Sequence, residues 1–243
     1  MCNILCIETS ASLCSVAIYT PTKIFYLENS KALAHAEFLA PLIQECLQKA
    51  NLGANQLNAV AISGGPGSYT GLRIGCSTAK GLCFALNIPL IAIDTLAIIA
   101  NAAIIAEPNY DYYWPMIDAR RMEVYHTIFD YNLNSIIETT NSIIDETFLI
   151  EKDDLITNTF TNSITDENQK SKIINSKMGF CGDGAIKCAN ILKIPIINVV
   201  ANAKAVCSLA LAKYNTQQFE DTAYYEPFYL KQANITVSKN LMG

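Results

Sequence analysis

The chain has 243 residues, enough for one large domain or two small ones, because domains usually hold about 100 to 200 residues. Hydrophobic residues make up 51% and charged residues only 16%, so part of the surface is uncharged or covered by another chain, which favours an oligomer. The formal net charge of -5 argues against a surface that holds a nucleic-acid backbone by itself, because phosphate affinity rests on clustered Lys and Arg.

Neither a membrane span nor a metal site is expected. No apolar stretch approaches the ~20 residues of a spanning helix, and the first residues lack the flanks of a signal peptide, so we expect a cytoplasmic protein. The only histidines, His35 and His126, are far apart, and no cysteine pair is CxxC. Apolar neighbours predict buried, unreactive thiols at Cys6, Cys14, Cys76, Cys83 and Cys207.

The first part of the chain predicts a hairpin-rich start followed by a helix. Three antiparallel strands are expected at 3–8, 14–19 and 24–27. Apolar residues recur at helical spacing over 34–50. Because an interior proline costs about 3 kcal/mol, Pro41 predicts either a helix start near Leu39 or a bend.

Strands and helices then alternate. A strand is expected at 57–63, a glycine-rich turn at 64–68, a helix at 70–87, a strand at 90–93 and a helix at 95–106 capped by Asp94 or Thr95. This order after a hairpin start predicts an α/β fold, with a mixed sheet and helices packed against it.

We expect two lobes, 1–106 and 107–243. The second lobe predicts strands at 114–117 and 123–129, a polar, exposed insertion at 157–177, a strand with a glycine turn at 179–185 and a helix at 201–214 that packs back on the first lobe. The aromatic segment 224–230 is expected to dock on the fold, because so many rings rarely stay in water.

The glycine-rich segment 64–71 follows a strand and opens a helix, an arrangement that binds anions in some proteins and is only a tight connection in others. No lysine follows it to complete a GxxxxGK[ST] loop. Within the helix, Gly71, Gly75 and Gly81 each cost about 1 kcal/mol relative to alanine, which predicts a close backbone approach. The element that approaches these glycines belongs either to this chain or to another subunit. The low charge content of the chain favours a subunit interface.

Four stretches in order along the chain carry a family resemblance. They are Ile7-Glu8-Thr9-Ser10 with Cys14-Ser15-Val16-Ala17, Gly64 to Gly75, Ile117-Asp118-Ala119-Arg120 with Glu123-Val124-Tyr125, and Pro227-Phe228-Tyr229-Leu230. Together they resemble the TsaB (YeaZ) family, which is related to the TsaD/Kae1 proteins, formerly called glycoproteases. The resemblance implies an actin-like ATPase-related (ribonuclease H-like) fold of two lobes.

The resemblance also implies a function. Members of that family support the catalytic subunit TsaD and recruit the ATPase TsaE, and the complex transfers threonylcarbamoyl from its adenylate to the adenosine beside the anticodon of tRNA. We therefore expect a non-catalytic scaffold subunit that meets tRNA only through the complex and forms a homodimer when alone. No cofactor is expected, although the resemblance leaves open ATP or ADP at the junction with the partner.

Two sets of site residues follow from the motifs and the resemblance. The expected partner or dimer interface comprises His35, Phe38, Leu42, Tyr69, Thr70, Gly71, Arg73, Ile74, Gly75, Thr78 and Leu82. A vestigial anion or nucleotide site would comprise Thr9, Ser10, Gly65, Gly67, Ser68, Asp118, Gly182 and Gly184. No catalytic residue and no metal ligand are expected.

Two alternatives remain open from the sequence. One is an independent ATPase or small-molecule kinase, with Ser10 and Ser68 on phosphate and Asp118 orienting a metal-bound water. The other is a metalloprotease. The absence of a second histidine near His35 counts against this alternative. The catalytic relative has two histidines four residues apart, and this chain has Leu39 at the second position.

Overall fold

A computed structural model describes residues 2–30, 35–145, 176–193 and 195–230. The strands within these residues are β1 Ile4–Glu8, β2 Cys14–Tyr19, β3 Ile24–Asn29, β4 Ala59–Ser63, β5 Leu90–Ile93, β6 Tyr112–Asp118, β7 Glu123–His126, β8 Phe129–Asp130, β9 Thr140–Ile143, β10 Met178–Cys181 and β11 Ile196–Ile197. The helices are α1 His35–Ala50, α2 Tyr69–Leu86, α3 Thr95–Ala106, α4 Asp183–Lys187, α5 Ala189–Leu192 and α6 Ala203–Asn215, with a 3-10 turn at Ala54–Gln56.

The two sheets have the same strand order when the second is read from its β9 edge. The first is ordered β3-β2-β1-β4-β5, with β1, β2 and β3 antiparallel and β4 and β5 parallel to β1. The second is ordered β11-β10-β6-β7-β9, with β6, β7 and β9 antiparallel and β10 and β11 parallel to β6; β8 pairs with β6 outside this path. Equivalent strand ends therefore occur twice in the molecule, once at the end of β1 and once at the end of β6.

Helices cover both faces of the first sheet. Helices α1 and α2 form one hydrophobic cluster with Leu5, Ile7 and Val16 of β1 and β2. Helices α3 and α6 form another with the opposite face, and this cluster extends to Tyr113 and Ile117 of the second sheet. Helix α6 packs on the first sheet, α3 packs on β6 and β10 of the second, and the two helices contact each other. Together they connect the two halves of the molecule through apolar packing, the main source of stability in folded proteins.

A buried histidine connects three strands of the second sheet. The indole nitrogen of Trp114 donates to Nδ1 of His126 at 3.0 Å, and Nε2 of His126 lies 2.9 Å from the hydroxyl of Ser142. An imidazole whose Nδ1 accepts a hydrogen bond is neutral. Burial lowers the pKa of His126 to about 4, which agrees with that form.

Most predicted elements are confirmed. The three N-terminal strands are antiparallel, and the Asp94 carboxylate caps α3 by accepting from the backbone nitrogens of Leu96 and Ala97. All nine cysteines are buried and free. The predicted α/β class with mixed sheets and packed helices is also confirmed.

Three predicted elements need correction. Helix α1 begins at His35 and runs through Pro41, so the first of the two alternatives for Pro41, a helix start near Leu39, is wrong. Pro41 lies on the exposed side, where its ring meets water. The strand expected at 123–129 is divided into β7 and β8, and the segment expected as a strand and turn at 179–185 continues into helix α4. The insertion expected at 157–177 lies outside the described residues except for its last two positions.

Candidate functional site

A cleft of about 610 Å³ opens where the ends of β1 and β6 face each other. Its first wall is the β1–β2 turn together with the start of α2, and its second wall is the β6–β7 turn together with Asp183 of α4. Tyr229 and Leu230 of the C-terminal segment close one side. Ligands of sheet proteins commonly bind beyond the carboxyl ends of parallel strands, so this cleft is the candidate site.

The glycines at the start of α2 pack against the chain's own β1–β2 turn. A Cβ atom on Gly71 would overlap the backbone oxygen of Thr9, and one on Gly75 would overlap the Thr9 hydroxyl. A Cβ atom on Gly67 would lie 2.7 Å from the backbone oxygen of Ser10. These glycines therefore let α2 approach β1 closely, which corrects the expectation that Gly71 and Gly75 face another subunit. Gly81 differs, because nothing lies within 4 Å of its Cβ position.

The preceding glycines accommodate the C-terminal segment. The backbone nitrogen of Phe228 donates to the Gly64 oxygen at 2.7 Å, and a Cβ atom on Gly65 would overlap the Phe228 carbonyl. Gly65 has a φ of +99°, which also favours glycine. Gly65 therefore shapes a path for the C-terminal segment, so its expected contact with an anion remains a prediction.

A lysine on α2 fastens the same segment. Lys80 Nζ donates to the backbone oxygens of Ala223 and Tyr225, each at 3.1 Å. Nearby, the ring of Tyr229 lies 4.9 Å from that of Tyr69, and the Arg73 guanidinium stacks on Tyr69 at 4.1 Å. The expected docking of the aromatic segment is thus confirmed, although Tyr224 remains 85% exposed.

The hydroxyl groups expected to hold phosphate have partners inside the protein. The Thr9 hydroxyl donates to the Gly71 oxygen at 2.8 Å, and the Ser10 hydroxyl donates to the Glu8 carboxylate. The Ser68 hydroxyl caps α2 by accepting from the Gly71 nitrogen at 3.3 Å. A phosphate group at this turn would have to displace these bonds.

Glu8 is a buried carboxyl group at the end of β1. Its Oε1 accepts from the backbone nitrogen of Ser10 at 2.6 Å and from the Ser10 hydroxyl, whereas Oε2 has no hydrogen-bond partner. Burial, and to a smaller extent the negative charge of Asp183 across the cleft, raise the pKa of Glu8 to about 7, although Ser10 and the nearby Ser63 hydroxyl oppose the rise. The orphaned Oε2 atom agrees with a carboxyl group that is protonated near neutral pH.

On the second wall, Asp118 is already paired with a lysine. The Lys187 ammonium bonds the Asp118 carboxylate and also donates to the backbone oxygens of Arg121 at 2.8 Å and Glu123 at 3.2 Å. The Asp183 carboxylate accepts from the backbone nitrogens of Asp118 and Gly184. A metal-bound water at Asp118, as in the ATPase alternative, would compete with this ammonium group.

The glycine turn before α4 has a packing role. Gly182 has a φ of +94°, and a Cβ atom there would overlap the Met116 oxygen. A Cβ atom on Gly184 would lie 2.9 Å from the carbonyl carbons of Met116 and Ile117. Both glycines therefore let α4 approach β6, as Gly67 and Gly71 let α2 approach β1. Their proposed contact with a nucleotide remains a prediction.

The expected interface residues divide into two groups. His35 and Leu42 are buried, and His35 Nε2 lies 2.8 Å from the Ala11 oxygen, so these two join the buried glycines inside the chain. The remaining expected residues stay at least partly accessible: Phe38, Tyr69, Thr70, Arg73, Ile74, Thr78 and Leu82. Several of them line an open groove between α1 and α2, and this groove remains a candidate contact surface.

Sequence patterns missed the lysine and tyrosine contacts of the site. Lys80 and Lys187 are single cations with no motif around them, and only the fold shows which carbonyl groups they reach. Tyr229 belongs to a segment that was expected to dock, but its place on Tyr69 could not be read from spacing.

The described residues contain neither a candidate metal cluster nor a candidate membrane span. Among residues 2–30, 35–145, 176–193 and 195–230, no group of three or more His, Cys, Asp or Glu side chains is placed to hold a metal ion. Within the same part of the chain, every helix is too short or too polar to cross a bilayer.

Comparisons with known proteins agree with this geometry. The family model described as TsaD, tRNA N6-adenosine threonylcarbamoyltransferase, matches residues 29–234. A Buchnera aphidicola protein (from Acyrthosiphon pisum) named tRNA threonylcarbamoyladenosine biosynthesis protein TsaB is 36% identical over 151 residues, covering 61% of this chain and 68% of that protein. The Haemophilus influenzae protein of the same name is 36% identical over 51% of this chain and 52% of its own length.

A solved structure shows the same fold. It is described as an uncharacterized protein with similarity to peptidase YEAZ, from Pseudomonas aeruginosa, and it aligns with a TM-score of 0.77 at 21% identity. The alignment covers 95% of this chain and 100% of that one. At this identity the likeness establishes the fold alone.

Proposed function

Since the chain belongs to the family of TsaD, tRNA N6-adenosine threonylcarbamoyltransferase, and stands within it beside TsaB proteins, we propose that it is a non-catalytic subunit of the system that makes threonylcarbamoyladenosine in tRNA. Its role is to bind and support a catalytic TsaD subunit and a TsaE ATPase in the cytoplasm. It meets tRNA only through that complex. The observation that carries this proposal is that the three cleft groups with the most obvious catalytic potential, the hydroxyls of Thr9 and Ser10 and the carboxylate of Asp118, are engaged by the chain itself.

This engagement separates a binding subunit from an enzyme. Catalysis needs groups that are free to meet the substrate at the reacting atoms. Here the Thr9 and Ser10 hydroxyls have internal partners, and Asp118 is neutralised by Lys187. Each of these groups stabilises a wall of the cleft. The cleft is therefore better suited to presenting a fixed surface than to catalysing a reaction.

The same arrangement weighs against the two enzymatic alternatives. An ATPase would need Ser10 and Asp118 to release their present partners before a nucleotide bound. A metalloprotease would need metal ligands beside His35. The imidazole instead faces the Ala11 oxygen, and Leu39 occupies the position one helical turn later.

The contact surface that we assign to the partner is the groove between α1 and α2. It is lined by Ala36, Tyr69, Thr70, Arg73, Ile74, Ser77 and Thr78. Small side chains at its centre let a helix approach closely, and Tyr and Arg at its edge are residue types enriched at the energetic centres of interfaces. The same groove would pair two copies of this chain when the partner is absent.

Calorimetry with a purified TsaD subunit from the same organism tests the proposal. Native chain is expected to bind at micromolar concentration or tighter, and Ser77→Arg, an exposed groove position, is expected to abolish binding by placing a bulky charge between the helices. Asn132→Arg is the matched control, because it adds the same charge at an exposed position far from the groove in sequence.

The control separates a local effect from a charge effect. Equal loss of binding in both variants would mean that charge alone weakens association. No binding by native chain at these concentrations would contradict the proposed function itself.

A further inference from the structure

The turn between β6 and β7 is built from residues that disfavour its backbone conformation. Arg120 and Arg121 have φ values of +71° and +51°. Successive positive φ angles in a hairpin turn normally select Asn-Gly or Asp-Gly, because a Cβ atom is strained there. Strained backbone conformations are concentrated at functional sites, so the side chains of this turn are candidates for a binding role.

Both arginine side chains are exposed and uncommitted. Neither guanidinium has a hydrogen bond or ion pair with any residue in the described ranges 2–30, 35–145, 176–193 and 195–230. Arg73 is the only other arginine of the chain, and it stacks on Tyr69. The two arginines of the turn therefore account for two thirds of the arginine in the sequence.

A network of hydrogen bonds holds the turn in place. Lys187 donates to the backbone oxygens of Arg121 and Glu123, and the Asp118 carboxylate accepts from the Arg120 nitrogen at 2.7 Å. Arg120 lines the cleft between the two sheets. Fixing the backbone in this way reduces the entropy that the arginines lose when they bind, so the turn is preorganised.

We propose that the Arg120–Arg121 turn, held by Lys187, is a docking point for an acidic segment of a partner protein. A guanidinium group forms paired hydrogen bonds with a carboxylate, and two adjacent groups fit a short run of Asp or Glu. This inference rests on the proposed function, because it supplies a second contact between this chain and its assembly.

Charge favours an acidic protein segment over RNA. The chain carries a net charge of -5, and Asp118, Glu123 and Asp183 surround the turn. A nucleic-acid backbone needs an extended cationic track, and two point contacts would give only weak, strongly salt-dependent binding. A short acidic peptide brings fewer negative charges near the neighbouring carboxylates than a nucleic-acid backbone does.

The first experiment uses arginine side-chain NMR on the native chain. With three arginines in the sequence, the Nε–H region holds three signals, and Arg73 provides an internal reference. Acetyl-hexaglutamate amide at millimolar concentration is expected to move the Arg120 and Arg121 signals in a saturable way and to leave Arg73 in place. Lys187→Met is expected to weaken this binding roughly tenfold, because the turn is no longer held.

The second experiment compares stability with binding. The double variant Arg120→Asn with Arg121→Gly should raise Tm by about 2 to 4 °C, because the strain is relieved, and should abolish peptide binding as measured by calorimetry, since neither arginine signal of the turn remains to report it. If the turn had only a structural role, the rise in Tm would not be accompanied by a loss of peptide binding. Arg120→Gln with Arg121→Gln removes the charges without relieving strain, and it should lose peptide binding at unchanged Tm.

Other outcomes would overturn the inference. If the peptide moves no signal, or if a 17-nucleotide anticodon stem-loop RNA moves the same two signals at lower concentration, the turn is not a site for acidic protein. Either result leaves the groove-dependent binding of the TsaD subunit untouched. Loss of that binding in the native chain would instead contradict the proposed function, so the two failures can be told apart.

Discussion

Replacing Gly71 with alanine is expected to lower the free energy of unfolding by about 3 kcal/mol, because the new methyl group would overlap the Thr9 backbone oxygen and force α2 away from β1. Gly81→Ala on the same helix should instead raise the free energy of unfolding. Its Cβ position is open, so the variant gains up to about 1 kcal/mol of helix propensity. Urea unfolding of the native chain and both variants measures the two effects.

The pair of variants removes helix propensity as an explanation. Both replace a glycine with alanine inside α2, and only the surroundings of the Cβ atom differ. If Gly71→Ala were as stable as the native chain while its partner binding fell, the original expectation of a glycine-lined subunit interface would be restored. Equal stabilisation by both variants would also contradict the packing of α2 on β1.

Glu8→Gln is expected to change the pH dependence of stability. The pKa of Glu8 rises from 4.5 when exposed to about 7 in the folded protein, so the folded state holds the proton more tightly than the unfolded state. The native chain therefore keeps the full contribution of the protonated carboxyl below pH 4.5 and loses it as the pH rises through 7. The shift corresponds to about 3 kcal/mol.

The glutamine variant lacks this titration. Its amide keeps an oxygen for Ser10 and gains a donor for the unpartnered Ser63 hydroxyl. The free energy of unfolding of Glu8→Gln minus that of the native chain should rise by about 3 kcal/mol between pH 4.5 and pH 8. Chemical denaturation across this range measures the difference, and a difference independent of pH would show that folding does not raise the pKa of Glu8.

A second buried group titrates in the opposite direction and cancels in this comparison. His126 has a pKa lowered to about 4, so its contribution is present above pH 6.5 and is lost as the pH falls through 4. Because both chains contain His126, the difference between them reports on Glu8 alone.

Local patterns predicted the elements of this fold well. A nearly continuous apolar run and Asp94 predicted the observed bounds of α3, and the apolar neighbours of Cys76 and Cys83 predicted that these residues of α2 are buried. These features depend on neighbours in sequence. The polar insertion stays untested, since it falls almost entirely outside the described residues.

What failed was the assignment of partners across long sequence separations. The glycines of α2 signalled a close approach, but composition could not tell whether Thr9 of the same chain or a second subunit made it. No local motif surrounds Lys80 or Lys187, and their acceptors lie 143 and 69 residues away. Such contacts exist only once the sheets are assembled, so a one-dimensional pattern contains no signal for them.

The most direct measurement of the proposed role is threonylcarbamoyl transfer to tRNA, assayed with the TsaD and TsaE subunits from the same organism, with and without this chain. We expect the chain alone to show no transfer, the complete set to modify tRNA, and omission of this chain to return the signal to background. Transfer by the isolated chain, or undiminished transfer in its absence, would contradict a supporting, non-catalytic subunit.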